Sequence, residues 1–345
     1  MHISEFDYEL PPELIAQEPL ERRDASRMLV LDRARESWVD SRFIALPEYL
    51  RPNDVLVVNN TRVFPARLIG QRDPSGGRVE VLLVREIEPL LWEALVRPAQ
   101  RLKQGASLQF RKSKLRAEVV DLPSEALRVL RFECEGSLEM ILDELGQTPL
   151  PPYIKRPTGS SATDRERYQT VFARTRGAIA APTAGLHFTR RVMDDAQARG
   201  ARFAEITLHV GYGTFEPVRV ENVDEHRVAP ERFEITKAAA KTINDGRAKS
   251  GRVIAVGTTT TRALESAVSV TGEIDAGVRT AKLTITPGHQ FRIADALLTN
   301  FHLPRSSLLL LVCGFAGRRL VLEAYRHAIN ARYRFYSYGD CMLIM

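Results

Sequence analysis

Six short segments decide the fold: ARLIGQR (66–72), RVEVLLVRE (78–86), WEALVRP (92–98), ASLQF (106–110), LRAEVVDL (115–122) and LRVLRFE (127–133). Each alternates apolar and polar residues and breaks at Pro, Gly, Ser or a charged turn. A period of two sends one face of a segment into a core and the other toward solvent. Strands at this spacing, with no helix between them, predict a small antiparallel barrel or sandwich. The helical LEMILDEL follows, with Ser137 as its cap and Gly146 as its stop.

Outside this stretch the texture changes. Met28–Asp32 (MLVLD) and Val55–Asn59 (VLVVN) read as short buried strands. Phe203, Ile206, Leu208 and Val210 alternate as a strand, and a helix starts at Thr236 and closes before Gly251. A strand over 252–256 then runs through Gly257 and four threonines, Thr258, Thr259, Thr260 and Thr261, into a helix opening at Arg262. The apolar Leu308–Val312 reads as a buried strand behind a turn that carries His302, and 320–330 is an amphipathic helix. PLPPYIKRP (149–157) is a stiff return linker. After it Asp164 caps a short helix that brings Tyr168 and Phe172 onto one face. The expected fold class is α/β: a larger domain with a mixed sheet, 1–62 and 149–345, interrupted by an inserted antiparallel β-barrel domain at 63–148. A chain of 345 residues suits one large domain plus a smaller one.

Composition sets bounds on function. With 44% hydrophobic and 27% charged residues the chain is of ordinary soluble type, and no apolar run reaches membrane-spanning length. The N-terminus lacks the apolar centre of a signal peptide. Cys134, Cys313 and Cys341 lie far apart without a CxxC, which fits a reducing cytoplasm and no structural zinc. Lys and Arg number 49 against 43 Asp and Glu, a mild excess. It concentrates at 148–176, where six basic residues face two acidic ones among Tyr153, Tyr168 and Phe172. Contact with a phosphate backbone and stacking on bases would need that combination, although a merely solvated run reads the same way.

The chemistry concentrates between Gly177 and Pro217. Two small-residue loops there carry one histidine each, His187 and His209, and the second turns at once through Gly211 and Gly213. Glycine past a strand end lets a ligand approach the backbone, and histidine exchanges protons near neutral pH. The run Asn59-Asn60-Thr61-Arg62 sets amides and a guanidinium at another strand end, where α/β proteins bind ligands. Four threonines at a helix start suit an anion or polar ligand, yet no GxxxxGK[ST] is present. GxGxxG, GxSxG, HExxH and paired-cysteine metal patterns are absent as well.

Read together, the motifs closely resemble the S-adenosylmethionine:tRNA ribosyltransferase-isomerases of bacterial queuosine biosynthesis. The resemblance is carried by FDYELPPELIAQEPLERRDASRML (6–29), NNTRVFPARL (59–68), PPYIKR (151–156) and RERYQTVFA (165–173). It continues in GAIAAPTAGLHFT (177–189), TLHVGYGTFEPV (207–218), VGTTTTRALES (256–266), TNFHLP (299–304) and YRFYSYGDCMLI (333–344). One departure lies in ENVDEHRVAPERFEI (221–235): the family usually has a second histidine three residues after the one matching His226, and here Ala229 stands there. That counts against an essential role at this position and directs attention to the neighbouring Glu231.

The resemblance implies transfer of the ribosyl moiety of S-adenosylmethionine to a 7-aminomethyl-7-deazaguanine in the wobble position of tRNA. Rearrangement gives epoxyqueuosine, adenine and methionine. The sulfonium compound is a co-substrate, and no metal or other cofactor is implied. On that chemistry His187 and His209 are expected to move protons, with Asp340 or Glu231 pairing with the amine or sulfonium. Gly211, Gly213, Thr214 and Thr258–Thr261 are expected to hold the adenosine and the methionine tail. Asn59, Asn60, Arg62, Arg67, Lys155, Arg156 and Tyr168 are expected on the RNA side. The partner is tRNA with a GUN anticodon, met in the cytoplasm by a monomer that does not touch a membrane. Two other readings are a small-molecule transferase acting on the free base and a non-catalytic RNA-binding protein.

Overall fold

The computed structural model describes residues 1–110, 113–157, 159–211 and 218–345, and the counts below refer to these. Two antiparallel strands, β1 (Arg27–Asp32) and β2 (Ser37–Arg42), precede β3 (Val55–Asn59) and the short β4 (Thr61–Val63). Six strands follow: β5 (Arg67–Asp73), β6 (Arg78–Glu88), β7 (Leu91–Arg97), β8 (Ser107–Gln109), β9 (Arg116–Asp121) and β10 (Leu127–Glu133). Helix α1 (Leu138–Leu145), α2 (Ala162–Arg167), β11 (Thr175–Ala178), α3 (Arg190–Ala198) and β12 (Arg202–Leu208) come next. The remainder is β13 (Glu231–Ile235), α4 (Lys237–Ala248), β14 (Val253–Val256), α5 (Thr258–Ala267), β15 (Gly277–Ala281), β16 (Ala296–Asn300), α6 (Ser307–Ala316), α7 (Arg318–Asn330) and β17 (Cys341–Ile344).

All six alternating segments are strands. They close as a barrel in the order β10-β7-β6-β5-β8-β9, because β10 pairs with both β7 and β9 and leaves no open edge. On β6 the alternation is direct: Val79, Val81 and Leu83 enter the barrel core, while Glu80 and Leu82 sit on its outer face. Leu138 and Leu142 of α1 pack into the same core.

The second sheet runs β15-β13-β12-β3-β14-β16-β17-β1-β2. Strands β12, β3, β14 and β16 are parallel, β17 is antiparallel to β16, and β1 is parallel to β17. Apolar runs such as VLVVN and VIAV are buried at every position, since helices and loops cover both faces. Leu29, Val55, Val57 and Ala255 enter one core, and Met28, Leu56, Val58 and Ile254 the other. This directionality has one consequence for function. The carboxyl ends of β3, β12, β14 and β16 and the amino ends of β17 and β1 share a single edge, where parallel sheets leave a crevice for ligands.

Three expectations are corrected. Leu308–Val312 lies in helix α6, not in a strand. Burial nearly all round removes the helical period from its sequence, and only Ser306, whose hydroxyl accepts from the Leu309 N–H, announces its start. Helix α5 begins at Thr258, so the four threonines form its first turn and do not precede it. Ser161 caps α2, with Asp164 inside the helix as the return arm of a capping box, and Tyr168 comes after the helix. No helix among the described residues is long and apolar enough to cross a membrane.

A candidate active site at the strand ends

Gly257 leaves β14 at a φ of 95°, a conformation that favours glycine, and starts α5 directly. The N–H groups of the first helical turn have no partner inside the helix, and the helix dipole places partial positive charge there. Thr258 and Thr259 line a cavity with Thr183, Asn300, His302 and Ser337. Thr260 and Thr261 are wholly buried, and the Thr261 hydroxyl donates back to the Gly257 carbonyl at 3.0 Å. Of the four threonines, only the first two face the cavity. A carboxylate fits such a helix start.

His187 ends a 3-10 turn over Thr183–His187 and is buried beside the ring of Phe43. Its Nδ1 lies 2.8 Å from Ser26 Oγ, and its Nε2 lies 3.2 Å from the Asn300 amide nitrogen. An amide nitrogen cannot accept, so it is the donor to Nε2, and its other N–H points toward the carbonyls of Tyr336 and Asp340. The proton therefore sits on Nδ1 and is given to Ser26, whose hydroxyl donates to the Arg23 carbonyl. Both ring nitrogens are occupied, by Ser26 and Asn300. The Asn300 Oδ1 is buried without a partner among the described residues and belongs to a side chain lining the cavity. His302, also in the lining, bonds Thr299 Oγ1 through Nε2 at 2.8 Å.

Burial lowers the pKa of both His187 and His302 from 6.5 to about 3, with Arg334 and Arg23 adding to the effect at His187. Between those values the unfolded chain holds a proton that the folded chain does not, so stability falls as pH drops through 6.5. From about pH 7 to about pH 5 each histidine removes about 2 kcal/mol. Asp340, whose pKa burial raises, contributes in the opposite direction. His302→Gln is therefore expected to flatten the pH dependence of urea unfolding over this range; an unchanged slope would contradict the assignment.

His209 stands apart from this cavity. Its Nδ1 lies 2.8 Å from Thr61 Oγ1, and its ring lies so close over Gly177 that a Cβ there would come within 2.7 Å of it. Burial first, and then Arg232, lowers its pKa. The next residue, Val210, lines the cavity. Gly213 and Thr214 lie outside the described residues. Gly211 donates weakly, at 3.5 Å, to Glu231 Oε1, whose other oxygen meets Arg262 Nη1 at 2.5 Å. Glu231 is thus half of a buried ion pair joining β13 to α5. Asp340 accepts the backbone N–H groups of Arg27 and Arg334, both at 2.8 Å, which holds the C-terminal turn and turns the carboxylate inward.

The residues expected on the RNA side divide. Asn59 is consumed by the fold: its amide bonds both backbone groups of Leu208 and the Thr61 N–H. Asn60 pairs with Glu205 and Thr207. Arg156 grips Asp164 with two bonds of 2.9 Å and reaches Glu18, and Tyr168 is fully buried against Tyr338. No base can stack on Tyr168 in this fold. Lys155 is exposed. Arg67 holds the Leu150 carbonyl and faces Glu80. The Arg62 side chain is exposed and makes no hydrogen bond or ion pair among the described residues; it lines a groove with Arg23, Arg165 and Arg176. Thr299, Asn300, His302, Tyr336 and Ser337 had not been expected as site residues. Their motifs, TNFHLP and YRFYSYGDC, were visible, and Tyr336 takes a φ of 73°, costly for a non-glycine residue and concentrated at functional sites. No group of three or more His, Cys, Asp or Glu side chains among the described residues is placed to hold a metal ion.

The fold is an α/β domain with an inserted barrel and a cavity at its strand ends. The chain belongs to the family described as queuosine biosynthesis protein, whose model matches residues 3–344. It is 46% identical over 345 residues to an S-adenosylmethionine:tRNA ribosyltransferase-isomerase of Desulforamulus reducens, covering 100% of both chains. It is 51% identical over 346 residues to the protein of that name from Moorella thermoacetica, again over 100% of both. Among solved structures, S-adenosylmethionine tRNA ribosyltransferase from Thermotoga maritima matches with 37% identity and a TM-score of 0.56, over 99% of this chain and 100% of that one.

Proposed function

We infer that this chain transfers and isomerises the ribosyl moiety of S-adenosylmethionine onto 7-aminomethyl-7-deazaguanine in the wobble position of tRNA, releasing adenine and methionine. The observation that carries the reading is end-to-end likeness to relatives of that name, in a chain whose shared motifs converge on one cavity. The methionine carboxylate meets the start of α5 at Thr258 and Thr259. Asn300 Oδ1 accepts from the adenosine part, held in place by His187. A positive sulfur acidifies the protons at the adjacent ribose carbon, so the step needs a base, and departing adenine needs a proton. His209, kept neutral by its lowered pKa, is the proposed base; it does not itself line the cavity, but Val210 beside it does. The acceptor is tRNA with a GUN anticodon, used by a cytoplasmic monomer without metal or other cofactor. The barrel unit, 63–148, is an inserted domain.

The exposed Arg62 contacts RNA phosphate. Arg62→Ala is expected to weaken tRNA binding and to reduce the slope of log affinity against log salt by about one. An unchanged slope removes this residue from the interface. The reaction itself is tested by incubating the protein with S-adenosylmethionine and tRNA bearing the deazaguanine. Adenine release with a matching ribose-derived mass gain on the nucleoside is the expected result, and methyl transfer would overturn the reading.

A further inference from the structure

A second cavity, of about 270 Å3, lies between the barrel and the main sheet. Glu80, Leu82, Leu95 and Arg67 enter it from the barrel, Ala180 and Gly211 from the other side. Ala180 and Gly211 are each next in sequence to residues lining the first cavity, Ala181 and Val210. Two thin segments of small residues therefore have one cavity at each neighbouring pair, as the sites of two substrates that must react with each other require.

The chemistry of this second cavity is specific. Leu82 and Leu95 supply apolar surface, and both Glu80 and Leu82 stand on the outer face of β6. The Glu80 carboxylate accepts no hydrogen bond among the described residues; Arg67 Nε lies 3.3 Å from it, and that nitrogen is buried without a hydrogen-bond partner. Arg97, opposite Glu80 in register, also lines the cavity. An apolar slot with a partly exposed carboxylate beside the Arg67 guanidinium, and with Arg97 and Arg219 also in its lining, matches a flat base with two adjacent N–H donors beside an acceptor oxygen. That is the N1–H, 2-amino and O6 edge of a guanine-type base. Bases splayed from single-stranded loops are read by stacking and by bonds to this edge.

We propose that the cavity between barrel and sheet receives the guanine-like acceptor base, with Glu80 accepting from its N1–H and 2-amino group. The proposal rests on the reaction inferred above and names the site of its second substrate. Carbon 7, which carries the aminomethyl nucleophile, lies on the five-membered ring, away from the N1–H and 2-amino groups. A base read by Glu80 at one edge leaves that group free to meet the ribosyl donor.

The test is equilibrium binding, by fluorescence anisotropy, of two anticodon stem-loop RNAs. One carries 7-aminomethyl-7-deazaguanine and the other the same base without its 2-amino group. Wild type is expected to bind the second about tenfold more weakly, the size of a lost hydrogen bond to a charged group. Glu80→Gln should weaken binding of the first by about as much and bind the two RNAs alike. Leu82→Trp, which fills the cavity from the outer face of the barrel, should weaken both RNAs and leave S-adenosylmethionine binding unchanged. Equal wild-type affinities, or full discrimination retained in Glu80→Gln, overturns the proposal. A protein that binds and discriminates the RNAs but releases no adenine refutes the reaction and leaves this base site standing.

Discussion

Arg262→Leu is expected to lower the unfolding free energy by about 3–5 kcal/mol, the usual result of removing one partner of a buried ion pair. Both partners of the Glu231–Arg262 pair are 4% exposed, so water cannot replace the lost guanidinium. Arg262 Nε also donates to the Leu283 carbonyl at 3.0 Å, and Nη2 reaches the carbonyls of Ala229 and Ala281. The double variant Glu231→Leu with Arg262→Leu should recover part of the loss, since it removes the buried carboxylate that lost its Arg262 partner but not the carbonyls left without a donor. Urea unfolding of the three proteins measures this. A loss below about 1 kcal/mol in Arg262→Leu would place the pair among weakly contributing surface bridges and contradict its burial. The Ala229 departure bears on the same point. Ala229 contributes its carbonyl to Arg262, a bond that any side chain at that position allows.

Asn300→Ala is expected to reduce kcat/KM by about a hundredfold or more, the scale seen when a preorganised polar group is removed from a reaction site. The substitution deletes the unpartnered Oδ1 and frees His187 Nε2 together with the Tyr336 and Asp340 carbonyls. Weaker S-adenosylmethionine binding should accompany the loss, while RNA binding persists because its contacts lie elsewhere. Single-turnover adenine release, measured on protein shown to be folded at neutral pH, separates the two effects. Activity within about twofold of wild type would remove Asn300 from the site.

Much of the fold was legible because its signals are local. The barrel showed in the alternation of segments such as RVEVLLVRE, and β3 and β14 in unbroken apolar runs that only a sheet covered on both faces accommodates. Helix α6 was hidden for the opposite reason: with Leu309–Cys313 all buried it carries no amphipathic period. Site residues were less legible, because what a polar side chain does depends on partners distant in sequence. His187 and Asn300 meet across 113 positions. Asn59, Arg156 and Asp340 looked like ligand residues, yet each is occupied by backbone or carboxylate partners that the chain brings to it. The motif GTTTTR located the helix start but not which hydroxyls face outward; a helical turn points four successive residues in four directions, and only Thr258 and Thr259 reach the cavity.

The cavity at the start of α5 is proposed to hold the sulfonium substrate. A crystal structure of the protein with S-adenosylmethionine tests it most directly. The methionine carboxylate is expected at the N–H groups of Thr258 and Thr259, with Asn300 Oδ1 accepting from the adenosine part. Electron density for the ligand in the cavity beside Glu80 and Leu82, with the α5 cavity empty, would contradict it.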